Sequence, residues 1–194
     1  MAEKTLNDLT REDWNRLFPI ELVNHNPDWQ AIFEKEKQLI LDHVDNSYLL
    51  KIEHFGSTSI PAIKSKPYID LIIEIPRECL FDEELISQFE KIGYAHFVVP
   101  EREGIDAYSS FGKGYRLDGV KEQVFHIHMC PANNYMWRQV AFRDYLNSNP
   151  QRAKEYEELK LKLITRYSND RGAYVNGKSG FVNETLEMIE REMA

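Results

Sequence analysis

The chain has 194 residues, 42% of them hydrophobic and 29% charged, with a formal net charge of −8. That length supports one full-sized domain with its own core, and the acidic balance disfavours non-specific binding to nucleic acid. No apolar run approaches the roughly 20 residues of a membrane span, the polar start MAEKTLNDLTREDW fits no secretory signal or transit peptide, and Cys79 and Cys130 form no CxxC motif, which points to a reducing, cytoplasmic setting.

Residues 1–20 read as a helical extension ahead of a single domain over residues 21–194. Thr10 is placed to cap a short helix with Asp13, and Trp14, Leu17 and Phe18 form its apolar stripe. This aromatic segment offers a surface on which a second copy could pair as a homodimer. Asn26-Pro27 has the form of a helix start, and Trp29, Ile32, Phe33, Leu39 and Ile40 follow at helical spacing. Strands are expected at Tyr48–Phe55 and Tyr68–Ile75. Asp82 caps a second helix that stops at Gly93, and Tyr94–Val99 is a third strand. Residues 100–118, polar and glycine-containing, read as a long loop or irregular hairpin. Gln123–Cys130 alternates as a strand. Helices are expected from about Tyr135 to Asn147, from Asn149-Pro150 to about Ser168, and from Gly177 to Glu192. The run KEYEELKLK at 154–162 reads as a solvated helix face. This order describes an α/β (α+β) mixed sheet with flanking helices and a helical C-terminal third.

The chemistry concentrates between Glu53 and Ile75, EHFGSTSIPAIKSKPYIDLIIEI. Asp70 lies inside an otherwise apolar strand, where a carboxylate is costly unless a cation or metal reaches it. Alternation puts Tyr68, Asp70, Ile72 and Glu74 on one face. A structural pair with Lys64 or Lys66 is the alternative to a functional Asp70. The preceding Gly56-Ser57-Thr58 turn supplies N–H groups and hydroxyls of the kind that hold phosphate. In Phe125-His126-Ile127-His128-Met129 both imidazoles project from one face. They could meet a metal or phosphate there, or lie on a solvated sheet face. With Asp70 they would make a two-histidine, one-carboxylate set for Mg²⁺, Mn²⁺ or Zn²⁺. Of the basic residues Lys64, Lys66, Arg102, Arg143 and Lys178, Lys66 is best placed to meet an anion, because its loop must fold back beside Ser57 and Asp70. Whether Glu53 or His54 belongs to the site is left open.

The Gly-Ser pair followed by Asp inside an apolar strand resembles the entry motif of the nucleotidyltransferase superfamily. There the resemblance implies a second carboxylate two residues on, a position that Ile72 fills here. Glu74 would sit about 7 Å further along, too far to hold metals about 4 Å apart. More specifically, the chain is identified as similar to the GrpB family over roughly residues 20–190. The motifs are NPDWQAIFEKEK, IEHFGSTSIPAIKSKPYIDLIIEI, FHIHM, FRDYLNSNPQRAKEYEELK and the late Tyr174, Lys178 and Phe181. That resemblance implies a nucleotidyltransferase-like fold, and a nucleotide- or coenzyme-A-related context, since some relatives are fused to dephospho-coenzyme A kinase. Its implied site is Gly56, Ser57, Thr58, Lys66, Asp70, His126 and His128, with Arg143, Tyr174 and Lys178 from the helical segments. The expected ligand is a nucleotide or phosphorylated small molecule. It would be acted on by nucleotidyl or phosphoryl transfer with a divalent metal, or bound without catalysis.

Overall fold

Five strands form one mixed sheet: β1 (Lys51–Phe55), β2 (Tyr68–Glu74), β3 (Ala95–Val99), β4 (Tyr108–Lys113) and β5 (Val124–Cys130), in the order β1-β2-β5-β4-β3. β2 and β5 run parallel, and the other neighbours are antiparallel. Seven helices accompany them among the described residues: α1 (Arg11–Leu17), α2 (Trp29–His43), α3 (Glu83–Lys91), α4 (Arg138–Ser148), α5 (Pro150–Arg166), α6 (Arg171–Asn176) and α7 (Ser179–Met193). The computed structural model describes residues 8–102, 104–118, 120–168 and 170–193. Residues 1–7 of the expected N-terminal extension lie outside them.

The sheet's two faces differ because each strand sorts its side chains by alternation. Ile69, Leu71 and Ile73 of β2 join Phe125, Ile127 and Met129 of β5 and Phe111 of β4 on one face. Trp29, Phe33 and Ile40 of α2 and Leu85 and Phe89 of α3 cover them. This is the main core. The opposite face carries Asp70, Ile72, His126 and His128, and the helical C-terminal third stands over it. That third has its own apolar centre, built from Phe142 and Leu146 of α4, Ala153 and Tyr156 of α5, and Leu186 of α7 around Ile60 and Ile63. The expected class, a mixed sheet with flanking helices and a helical C-terminal third, is the one observed.

Local signals account for most element ends. Thr10 and Asp13 complete both halves of a capping box on α1. Asp82 Oδ1 accepts from Leu85 N at 2.8 Å and starts α3. Three expectations need correction. α2 begins at Trp29 with Asp28 as its cap residue, because the Asn26 side chain accepts from Asp28 N at 3.0 Å and holds a turn there. The stretch 100–118, expected as a long loop or irregular hairpin, contains the regular strand β4, antiparallel to β3 and β5. Its sequence, YSSFGK, hides the alternation because two serines and a glycine interrupt it, and Gly112 stands at a crowded position, where a Cβ would lie 3.2 Å from the Tyr115 ring. Finally, 154–162 is only partly a solvated face: Lys154, Glu158 and Lys162 are exposed, but the run also carries a buried side. Ala153, Tyr156, Lys160 and Leu163 form a buried stripe on α5 at helical spacing.

Phe111 lies in the main core with no exposed surface, whereas Val98 on the edge strand is 59% exposed. Phe111→Ala is expected to lower the unfolding free energy by about 3–5 kcal/mol. Val98→Ala should change it by less than about 0.5 kcal/mol. Urea titrations of the two variants test this placement of the core.

Candidate functional site

β2 and β5 lie in parallel register, with Asp70 beside His126 and Ile72 beside His128. Two sequence-distant motifs therefore meet on one face of the sheet. His126 Nδ1 lies 3.1 Å from Asp70 Oδ1. Neither Lys64 nor Lys66 makes an ion pair with Asp70, so the carboxylate's direct partner is the histidine. Burial alone would raise the Asp70 carboxyl. The hydrogen bond with His126 and the charges of His126, His128 and Lys66 outweigh it and hold the group below the usual carboxylate range.

The turn from Gly56 to Ser59 brings backbone against that carboxylate. Gly56 has φ +73°, and a Cβ there would lie 2.3 Å from Asp70 Oδ2. Only glycine permits both the conformation and the approach. Hydroxyls brace the turn: Ser59 Oγ donates to Gly56 O at 2.6 Å, and Ser65 Oγ donates to Ser57 O at 2.7 Å. Thr58 belongs to this bracing. It is buried, its Oγ1 donates to Tyr68 O at 2.9 Å, and His54 Nε2 lies 3.0 Å from the same oxygen. His54 stacks on Phe33 at 4.8 Å, on the α2 side of the sheet, and burial lowers its pKa to about 4. Neither Thr58 nor His54 faces the site.

Between this sheet face and the helices lies a cleft of about 500 Å³. Of the expected site residues, Gly56, Ser57, Lys66, Asp70, His126, His128, Arg143, Tyr174 and Lys178 line it. Arg143 also ties α4 to β1, pairing with Glu53 at 3.0 Å and with Asp144 at 2.8 Å. Glu53 thus serves that tie. Tyr174 packs against Ile20 and Leu163 and carries Lys178 Nζ over its ring at 5.0 Å.

Sequence reasoning missed Lys160 and Tyr108, which line the cleft, and Tyr115, which stands behind His126. Lys160, 1% exposed, donates to Lys64 O and lies over the Tyr156 ring at 5.0 Å. Its signal was a cation inside the apolar stripe of α5. Burial, reinforced by Lys178 and partly opposed by Glu157, pushes its pKa down to about 7. Lys66 lies over Tyr68 at 5.0 Å, and burial with the charges of Lys178 and Arg171 takes it to about 7 as well. Tyr115 stacks on His126 with centroids 5.5 Å apart, and its hydroxyl bonds His126 Nε2. Tyr108 Oη lies 3.2 Å from His128 Nδ1. Burial lowers the His128 pKa to about 4. Neither tyrosine carried a sequence signal, because both fall in the stretch read as loop.

These contacts bear on a metal. Asp70 Oδ1 is taken up by His126, both nitrogens of His126 are engaged, and His128 Nδ1 faces Tyr108. Among the described residues no three His, Cys, Asp or Glu side chains converge as a cage. Ile72, at the second acid position, is fully buried with Phe55, Tyr108, Cys130 and Met136. The residues do not fit a three-ligand protein site. What remains is the single carboxylate of Asp70, and a hard cation held by one carboxylate needs oxygens from a ligand to complete its shell.

The fold and cleft define an α+β domain with a Gly-Ser turn set against a strand carboxylate, roofed by helices that bring basic side chains to the cleft. The chain belongs to the GrpB protein family, whose description matches residues 19–188. It is 37% identical over 168 residues to the glutamate-rich protein GrpB of Alkalihalophilus pseudofirmus, covering 85% of this chain and 92% of that one. It is 32% identical to the UPF0157 protein YqkA of Bacillus subtilis, covering 89% of this chain but 48% of that longer protein. The crystal structure of the conserved protein GrpB from Enterococcus faecalis superimposes with a TM-score of 0.74 at 28% identity, covering 89% of this chain and 99% of that chain.

The buried lysines set a pH trend. Below about pH 7 Lys160 is protonated both folded and unfolded, so its burial penalty is full. Between about 7 and its ordinary value of 10.5 only the unfolded chain keeps the proton, and the penalty fades. The melting-temperature difference between Lys160→Met and the parent protein should therefore move against the variant as pH rises from 6 to 10. Calorimetric scans across that range measure it, and a difference that moves the other way contradicts the assignment.

Proposed function

We propose that this chain binds a nucleotide or another phosphorylated small molecule in the cleft between the sheet and the helical third. The observation that carries this reading is the charge of the lining. Lys66, Arg102, Arg143, Lys160, Arg171 and Lys178 face the cleft against the single carboxylate of Asp70, in a chain of net charge −8. A cleft lined by one sign of charge between apolar walls focuses the field and attracts counter-ions. Arg143 is neutralised by Glu53 and Asp144. Lys66, Lys160 and Lys178 have no carboxylate at ion-pair distance among the described residues, and their mutual repulsion helps depress two of them. A phosphate dianion would relieve that repulsion and form charge-assisted hydrogen bonds. The volume suits a small ligand, and Tyr68, Tyr108, Tyr135 and Phe142 supply apolar wall for its uncharged part.

A transferase reading rests on a separate observation. Asp70 is kept ionised on the strand after the Gly-Ser turn, where the resemblance to nucleotidyltransferases puts a metal-binding carboxylate. With Ile72 in place of the partner acid, any divalent cation there would depend on the ligand's own phosphates.

Thermal-shift and calorimetric titrations with nucleotides, coenzyme A precursors and tripolyphosphate, with and without Mg²⁺, Mn²⁺ or Zn²⁺, separate these readings. Phosphorylated compounds should stabilise the chain. Lys66→Ala or Lys178→Ala should weaken binding about tenfold or more, the equivalent of one charge-assisted hydrogen bond. No response to any phosphorylated compound overturns the proposal. Metal-dependent tightening abolished by Asp70→Asn, together with turnover of a nucleoside triphosphate, supports the transferase. Binding indifferent to metal supports a module that binds without transfer.

The lysines add a pH dependence. With Lys66 and Lys160 at about 7 in the free protein, an anion that favours their charged forms must draw in protons near neutrality. Affinity should fall as pH rises from 7 to 9. Calorimetry at pH 7.5 in buffers of different ionisation enthalpy should report net proton uptake.

A further inference from the structure

We infer that Gln139 and Asn183, beside Tyr135, form a base-reading subsite that favours adenine over guanine nucleotides. This rests on reading the cleft as a nucleotide site and names the part of the ligand that the cationic cluster does not address. Gln139, in the first turn of α4, is half-buried and lines the cleft. Among the described residues nothing hydrogen-bonds its side chain, so a partly buried amide offers two donors and an acceptor into the cavity. Asn183 lines the same cavity from α7. Its Oδ1 accepts from the Tyr135 hydroxyl at 3.3 Å, which leaves its Nδ2 to donate elsewhere.

The spacing suits a nucleotide. Lys178, Ser179, Val182 and Asn183 all line the cleft. Lys178 and Val182, and Ser179 and Asn183, are i, i+4 neighbours at the start of α7, so the four form two adjoining rows along the cleft. Five residues of helix span about 7.5 Å. The rows therefore begin at a lysine of the anion-attracting cluster and reach an amide one and a half turns further on. A nucleotide separates its phosphate from its base in the same sense, with the sugar between.

The amides also select the base. Adenine presents an exocyclic amino donor beside a ring-nitrogen acceptor, which a carboxamide matches with two hydrogen bonds. Guanine presents two adjacent acceptors on that edge, which suit a guanidinium. The guanidinium at this corner, Arg138, lies over the Tyr135 ring at 4.8 Å and is paired with Glu190.

The test is isothermal titration of the full chain with ATP, GTP and tripolyphosphate without added metal. ATP should bind about tenfold or more tighter than GTP, the scale of one bidentate amide–base pair. Gln139→Leu should remove that preference and leave the tripolyphosphate Kd unchanged. Should the leucine variant fail to fold, Gln139→Met, which is uncharged, close in shape and lacks the amide, gives the same readout. Equal affinity for ATP and GTP, with tripolyphosphate still bound, overturns the base subsite alone, as does a preference that survives both variants. Failure of all three ligands to bind overturns the subsite together with the nucleotide reading beneath it.

Discussion

Everything at this site depends on keeping one carboxylate charged inside a sheet. Asp70 comes between Ile69 and Leu71, both fully buried, and a charge so placed must find partners or give up its ionisation. The fold answers from two sides. β5 aligns His126 with it in parallel register, and the Gly56 turn approaches so closely that no side chain could be accommodated between them. The parallel β2–β5 register, the glycine and the hydroxyl-braced turn all bear on that one requirement.

The helical third supplies the opposite sign. α5 and the turn between α6 and α7 bring Lys160 and Lys178 over the sheet, and each lysine rests on a tyrosine ring four residues earlier in the chain. Aromatic faces attract cations without neutralising them. The cluster is thereby held in place and still retains its field. The cleft is a polarised gap, anionic at the sheet and cationic at the roof, inside a protein of formal net charge −8.

Much of this was legible in the chain and some was not, for physical reasons. Asp70, the Gly-Ser turn and the FHIHM strand could be read because alternation and burial cost act within a few residues. Their convergence was expected from the family resemblance and not from the residues themselves, since strand order is a long-range property. β4 was hidden because Ser109, Ser110 and Gly112 carry little hydrophobic signal, and at Gly112 the rings of Tyr115 and Phe97 crowd the position. Lys160 was misread because a charge run normally marks solvent. Its position on the Ala153–Tyr156–Leu163 stripe was the contrary sign, and a long side chain can bury its stem while its amine finds a carbonyl. Thr58 looked like a phosphate ligand because hydroxyls brace turns and bind anions with the same atoms.

One contact reaches beyond the common domain. Tyr115, whose hydroxyl meets His126, is held by the rings of Trp14 and Phe18 at 5.0 and 4.7 Å. Arg171 donates to Phe18 O at 2.5 Å. α1 and Trp14 lie outside residues 19–188, the stretch the family shares. A segment that family membership does not require therefore buttresses a histidine at the centre of the fold. Relatives that carry other sequences ahead of the same domain could present that imidazole differently while every inherited strand and helix stays as it is.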